Sequence, residues 1–178
     1  MNIEQLKLIL KNKSVTDLKS IIYMLYTNVP EAKDYIDIIA PFDKKAVKQN
    51  SEQLFKRYQK QFREYLLPDI LEMNTREFEA FKLLERIRKK NISPQFTVDC
   101  ELQFITYCKE FILTYGYFDE DYYITMDEVF ESACIKIKEN RLYEDYRDDI
   151  EKLIVFGNEY GFEFSEICKE LNIYQTLL

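Results

Sequence analysis

Nine residues from Tyr115 to Tyr123, Tyr-Gly-Tyr-Phe-Asp-Glu-Asp-Tyr-Tyr, bring together five aromatic rings, three carboxylates and a glycine. On a loop, Asp119, Glu120 and Asp121 can hold a divalent cation or receive Lys and Arg from a partner, with Tyr117, Phe118, Tyr122 and Tyr123 as amphipathic anchors. A calcium loop opened by Asp119 needs glycine at its sixth position, and Ile124 stands there instead. The plainer reading is structural: acids ahead of a helix are favoured by its positive end, and the aromatics fill the core.

Charge is unevenly distributed. Residues 1–95 contain 18 Lys/Arg and 13 Asp/Glu, whereas residues 96–178 contain 7 and 19, so a +5 half and a −12 half make up the net −7. At 100° per residue, Lys56, Lys60 and Arg63 form one stripe opposite an apolar face. Lys82, Arg86 and Lys89 form another. An antiparallel helix pair would lay the two side by side as a basic strip, while Glu144, Asp148 and Glu151 make an acidic counterpart. The plainer reading, and the favoured one, is that each stripe is the solvated side of an amphipathic helix.

Other chemistry lacks its parts. The chain has no His, which removes Ser-His-Asp and Cys-His arrangements and imidazole metal sites. With Gly only at 116, 157 and 161, neither the phosphate-binding loop nor the dinucleotide fingerprint is present. Cys100, Cys108, Cys134 and Cys168 form no C-x-x-C pair and read as small buried apolar residues. No catalytic residue, cofactor or metal ligand is implied. An enzyme would need a deep pocket holding two or more carboxylates with raised pKa values.

The elements that position these residues are helical. Apolar residues recur at helical spacing almost throughout, which predicts an all-α chain of eight or nine antiparallel helices in an irregular bundle or a short stack of helix pairs. Ser14 with Asp17 is read as a cap for the second helix, Pro30 as the first turn of the third, Asp43 and Pro68 as the limits of the fourth, and Pro41 as a stop. A fifth helix is expected from near Thr75 and a sixth from about Thr97 to a left-handed cap at Gly116. Thr125 with Glu128 reads as a capping box opening the seventh, and Gly157 as the end of the eighth. The length suits a single domain, residues 1–178, with Asn91-Ile92-Ser93-Pro94 marking the one reasonable subdomain break, near 91–96.

The stretch from Leu6-Lys7-Leu8-Ile9-Leu10-Lys11 through Val15-Thr16-Asp17-Leu18-Lys19 and Leu25-Tyr26 to Val29-Pro30-Glu31-Ala32-Lys33-Asp34-Tyr35-Ile36-Asp37 resembles an uncharacterised bacterial family of small all-helical proteins. Gly116 to Tyr123, leading into Phe130-Glu131-Ser132-Ala133, is similar to that family's second block. The resemblance implies a helical fold and brings no activity with it.

The amino terminus carries Glu4 and lacks the apolar core of a secretory signal, and no run approaches the ~18 apolar residues of a membrane span. A cytoplasmic protein that does not enter the membrane is expected. Its function is read as non-enzymatic protein–protein contact, with a protein partner or a second copy, through the acidic C-terminal half. One alternative is an acidic inhibitor or immunity-type protein. Another is association with nucleic acid through the basic strip on residues 56–90, against which the sequence pI near 4.9 argues.

Overall fold

The computed structural model describes residues 1–40, 44–67, 75–116 and 120–173. The described residues form α1 (Ile3–Lys11), α2 (Val15–Asn28), α3 (Pro30–Ile39), α4 (Lys44–Leu66), α5 (Glu77–Lys90), α6 (Pro94–Tyr115), α7 (Glu120–Glu139), α8 (Tyr143–Tyr160) and α9 (Phe164–Glu170), with no strand among them. The fold is all-α. Pro41, Asp43, Pro68, Tyr117, Phe118 and Asp119 lie outside the described residues.

Local signals explain most of the boundaries. Ser14 Oγ accepts from the Asp17 N–H at 3.1 Å while Asp17 Oδ2 accepts from the Ser14 N–H at 3.2 Å, the reciprocal cap expected of α2. The Asp17 carboxyl is held below its ordinary pKa by the Ser14 hydroxyl and then by the Ser14 backbone N–H. Asn2 and Gln5 make the same arrangement at α1, a cap the sequence reading passed over. Pro30 occupies the first turn of α3.

Three boundaries differ from expectation. The sixth helix opens at Pro94, because Ser93 Oγ accepts from the Phe96 N–H at 3.1 Å and proline at the first position has no donor to lose. The seventh opens at Glu120, so Thr125 lies inside it and caps nothing; Glu120 and Asp121 stand in its first turn, where the positive helix end favours them. The eighth runs past Gly157 to Tyr160 and ends on Gly161 at φ 85. Gly157 serves packing instead: a Cβ there would lie 2.9 Å from Phe164 Cδ2. At Gly116, φ 87 with ψ −158 does end α6, in a region open almost only to glycine.

The chain divides into two compact units, Met1–Glu52 and Gln53–Leu178. The division falls inside α4, whereas the sequence placed a break near 91–96. There, Asn91 closes α5 in the left-handed region and Ser93 caps α6 at once, so the corner belongs to one core.

In the unit 1–52, α2 and α3 pack as a hairpin, with the Tyr26 hydroxyl donating to Asp37 Oδ1 at 2.9 Å. No side chain of α1 or α2 is buried. The unit 53–178 is built around α6 and α7, its principal pair, with α5 against α6 and α9 against both α7 and α8. Leu54, Phe62 and Leu66 of α4, Leu84 and Ile87 of α5, Phe104 and Ile105 of α6, Phe130 and Ile137 of α7, and Phe164 of α9 form its dry interior. Phe62 meets Phe104 edge-on at 5.9 Å, and Phe130 stacks on Phe164 at 4.3 Å.

Candidate functional site

In its described part, the segment 115–123 is the end of α6 at Tyr115 and Gly116 and the first turn of α7 from Glu120. Glu120 and Asp121 are exposed on the first turn of α7. Tyr122 is buried, its ring 5.8 Å from that of Phe111 and its hydroxyl donating to the Cys108 carbonyl at 3.5 Å. Tyr123 stacks on Phe162 at 4.6 Å, nearly parallel. Two of the aromatics offered as anchors therefore serve packing, and no group of three or more metal-ligating side chains occurs among the described residues.

On α8, Glu144, Asp148 and Glu151 are exposed, on the flank away from the buried Tyr146, Ile150 and Leu153. Glu151 already accepts from Arg147 Nε at 3.0 Å, an exposed pair one turn apart. That pair contributes little to stability.

The two basic stripes do not meet as one strip. Helix α4 turns Tyr58 and Tyr65 toward α5: Lys90 Nζ donates to the Tyr58 hydroxyl at 2.9 Å, and the Arg76 guanidinium lies 4.8 Å over the Tyr65 ring. It turns Gln59 toward Gln103 of α6, joined at 2.8 Å. Lys56, Lys60 and Arg63 follow Gln59 around the helix, away from α5. Accordingly, the Arg63 charge offsets part of the upward push that burial exerts on the Tyr107 phenol of α6. Lys60 pairs loosely with Glu64 at 3.8 Å.

Lys82, Arg86 and Lys89 instead line a concavity of about 650 Å³ together with Tyr65, Phe78 and Phe81. Lys82 Nζ stands 3.9 Å over the exposed Phe78 ring. Sequence reasoning missed these aromatics. Phe78 lies four residues before Lys82, a spacing that was legible, whereas Tyr65 comes from another helix.

A second cleft, about 660 Å³ and floored by Leu102 and Leu153, runs between α6 and α8. The Tyr146 hydroxyl donates to Asp99 Oδ1 at 2.8 Å, with the Gln95 carbonyl at 3.2 Å. Burial lifts the Asp99 carboxyl above its ordinary range, the Tyr146 hydroxyl opposes that shift, and Asp149 adds to it. Burial and then the Asp99 hydrogen bond push the Tyr146 phenol up. Tyr146 thus holds its proton and pins α8 to α6.

The one wholly buried carboxylate in the described core is Glu101. Its Oε1 accepts from Arg88 Nε at 2.7 Å, Lys136 Nζ at 2.9 Å and Ser132 Oγ at 2.8 Å, joining α5, α6 and α7. Ser132 and Lys136 look like a serine–lysine dyad, yet the ammonium donates to Glu101 and to Ser132 and accepts nothing. The cluster fastens three helices. Arg88 Nη2 and Glu101 Oε2 are buried without a hydrogen-bond partner among the described residues.

All four cysteines are buried and free. Burial pushes the Cys100 and Cys108 thiols up, and the hydrogen bond with Cys168, followed by burial, does the same to Cys134. These three are poor nucleophiles.

Among the described residues no helix is long and apolar enough to cross a membrane. No family model matches the sequence, and no curated protein and no solved structure is similar to it. The resemblance expected for residues 6–37 and 116–133 finds no support in these comparisons.

Proposed function

We propose that this chain is a non-enzymatic protein–protein interaction module whose contact surface is the N-terminal helical unit. One observation carries the reading: α1 and α2 are amphipathic, yet neither buries a side chain. Ile3, Leu8, Val15, Ile22, Tyr23 and Met24 are all exposed. Fully burying a branched aliphatic side chain is worth roughly 1.5–3 kcal/mol, so a unit that leaves this many large apolar side chains exposed is the place where covering by another surface gains most. The acidic flank of α8 is the weaker candidate, because its carboxylates stand in water and Glu151 is partly neutralised by Arg147.

Photo-crosslinking decides between them. With p-benzoylphenylalanine in place of Tyr23, a cross-linked product is expected; in place of Asp148, none. The reverse pattern overturns the proposal.

The basic-aromatic concavity on α5 favours a second reading, contact with single-stranded nucleic acid. Bases can stack on Phe78 and Tyr65 while phosphates meet Lys82, Arg86 and Lys89. This reading predicts salt-sensitive binding of a labelled oligothymidylate, lost in a Phe78→Ala, Lys82→Glu variant. If the unaltered protein leaves the probe free at low salt, the reading is gone.

A further inference from the structure

We infer that the cleft between α6 and α8 takes a small organic cation, an ammonium carried on an apolar body, with its charge seated at Asp99, in a site that lies wholly within the unit 53–178 and does not depend on the N-terminal contact surface. The two helices run the same way along the cleft. Tyr146 donates to Asp99 at one end, and ten residues farther along each helix Lys109 Nζ stands 5.2 Å over the Phe156 ring. At 1.5 Å per residue the two ends lie about 15 Å apart. The space of about 660 Å³ falls within the roughly 300–1,000 Å³ usual for small-molecule sites.

The sign of the charge follows from Asp99. This carboxylate is half-buried, and Tyr146 is its one hydrogen-bond donor: Oδ1 accepts at 2.8 Å, Oδ2 accepts nothing, and no Lys or Arg pairs with it among the described residues. Asp149 of α8 adds a second negative charge close enough to act on it. A carboxylate withdrawn from water with no cation beside it is destabilised, and an ammonium placed against it relieves that.

The two lysines of the cleft do not make it an anion site. Lys109 rests on the Phe156 ring, and Lys152 reaches Asp149 at 3.7 Å in a mostly exposed pair. Each cation thus has a partner of suitable charge distribution within the chain, whereas Asp99 has only a neutral hydroxyl. Residues 53–178 carry 17 Lys/Arg and 25 Asp/Glu, an excess that draws cations toward this unit.

The floor sets the body of the ligand. Leu102 and Leu153 are buried and Phe55 of α4 is half-buried, so an apolar or aromatic group attached to the ammonium covers apolar surface there. A bare cation leaves that floor uncovered.

Three indole probes that share one body and differ in charge test this on the full chain, which has no Trp to interfere. Tryptamine is the cation, tryptophol the neutral analogue and indole-3-acetate the anion, each followed by fluorescence anisotropy. The tryptamine signal is expected to rise with protein concentration and saturate, and the other two should bind at least about tenfold more weakly, the worth of one hydrogen bond to a charged group. Asp99→Asn keeps an oxygen for the Tyr146 hydroxyl and, with its fold checked by circular dichroism, should bring tryptamine down to the level of tryptophol. Asp148→Asn, on the exposed flank of α8, should bind as the parent does. No tryptamine binding at millimolar concentration, equal binding of the three probes, a preference for indole-3-acetate, or an Asp99→Asn variant that binds tryptamine like the parent would each overturn the inference.

Discussion

Residues 1–52 and residues 53–178 are both helical and amphipathic, yet they differ in what becomes of their apolar faces. In the larger unit α5 to α9 each bury side chains, and even its buried charge, Glu101, is met by Arg88, Lys136 and Ser132. In the smaller unit α1 and α2 bury none. A sequence pattern that marks a helix face as apolar says that something covers it, without saying what. Where the covering lies within the chain the face is core; where it does not, the face stays exposed, and on the function proposed above that exposed face is the one that makes contact.

Substitutions can break or sharpen this contrast. The largest effect belongs to Glu101→Gln, which leaves Arg88 and Lys136 facing an uncharged amide in the interior. Urea unfolding should show a loss of about 3–5 kcal/mol. Ile22→Lys, an equally drastic change of type, should shift stability by no more than about 0.5 kcal/mol because its site is exposed. Comparable losses in the two variants would erase the distinction between the units.

Gly157→Ala comes next. The added Cβ meets Phe164 Cδ2 at 2.9 Å, an overpacking cost of about 1–3 kcal/mol against a gain of up to about 1 kcal/mol in helix propensity. A lowered unfolding temperature is expected; a raised one would mean that the α8–α9 contact is looser than described.

Asp127 gives a smaller effect with a definite sign. Burial raises its pKa from 3.8 to about 6, opposed by the Glu163 N–H that it accepts at 3.1 Å. A carboxyl with a raised folded-state pKa favours folding while it is protonated. Its contribution is complete below 3.8 and is lost as pH rises through about 6. Asp127→Asn should therefore gain on the parent between these values and keep a constant lead above them, as followed by denaturant midpoints against pH. Smallest of all, Glu144→Gln with Asp148→Asn should move stability by less than about 0.5 kcal/mol, as read from denaturant midpoints.

Much of the fold was legible in the residues because helical periodicity and caps are local. Ser14 with Asp17, Pro30 and Gly116 ended or began helices as their chemistry dictates. The errors came where a local signal had two uses. Ser93-Pro94 reads as a chain break and serves as a helix start; Gly157 reads as a stop and serves as a close contact for Phe164. Thr125 with Glu128 has the letters of a cap, but Glu120 and Asp121 had already begun the helix.

The site was less legible, because its members come from different helices. Tyr65 joins the α5 cations in lining the concavity only because α4 lies beside α5, which no local pattern announces. The flanks taken by Lys56, Lys60 and Arg63 depend on which side of α4 meets α6. Burial itself cannot be read from periodicity, since α2 and α5 both carry apolar residues at helical spacing and only α5 buries them.

Hydrogen exchange followed by mass spectrometry tests the contrast most directly. In dilute solution the amides of α6 and α7 should exchange only through global unfolding, while those of α2 exchange through low-energy local opening. Protection of α2 equal to that of α6 in dilute solution would mean that its apolar face is already covered within the chain, and would contradict the account.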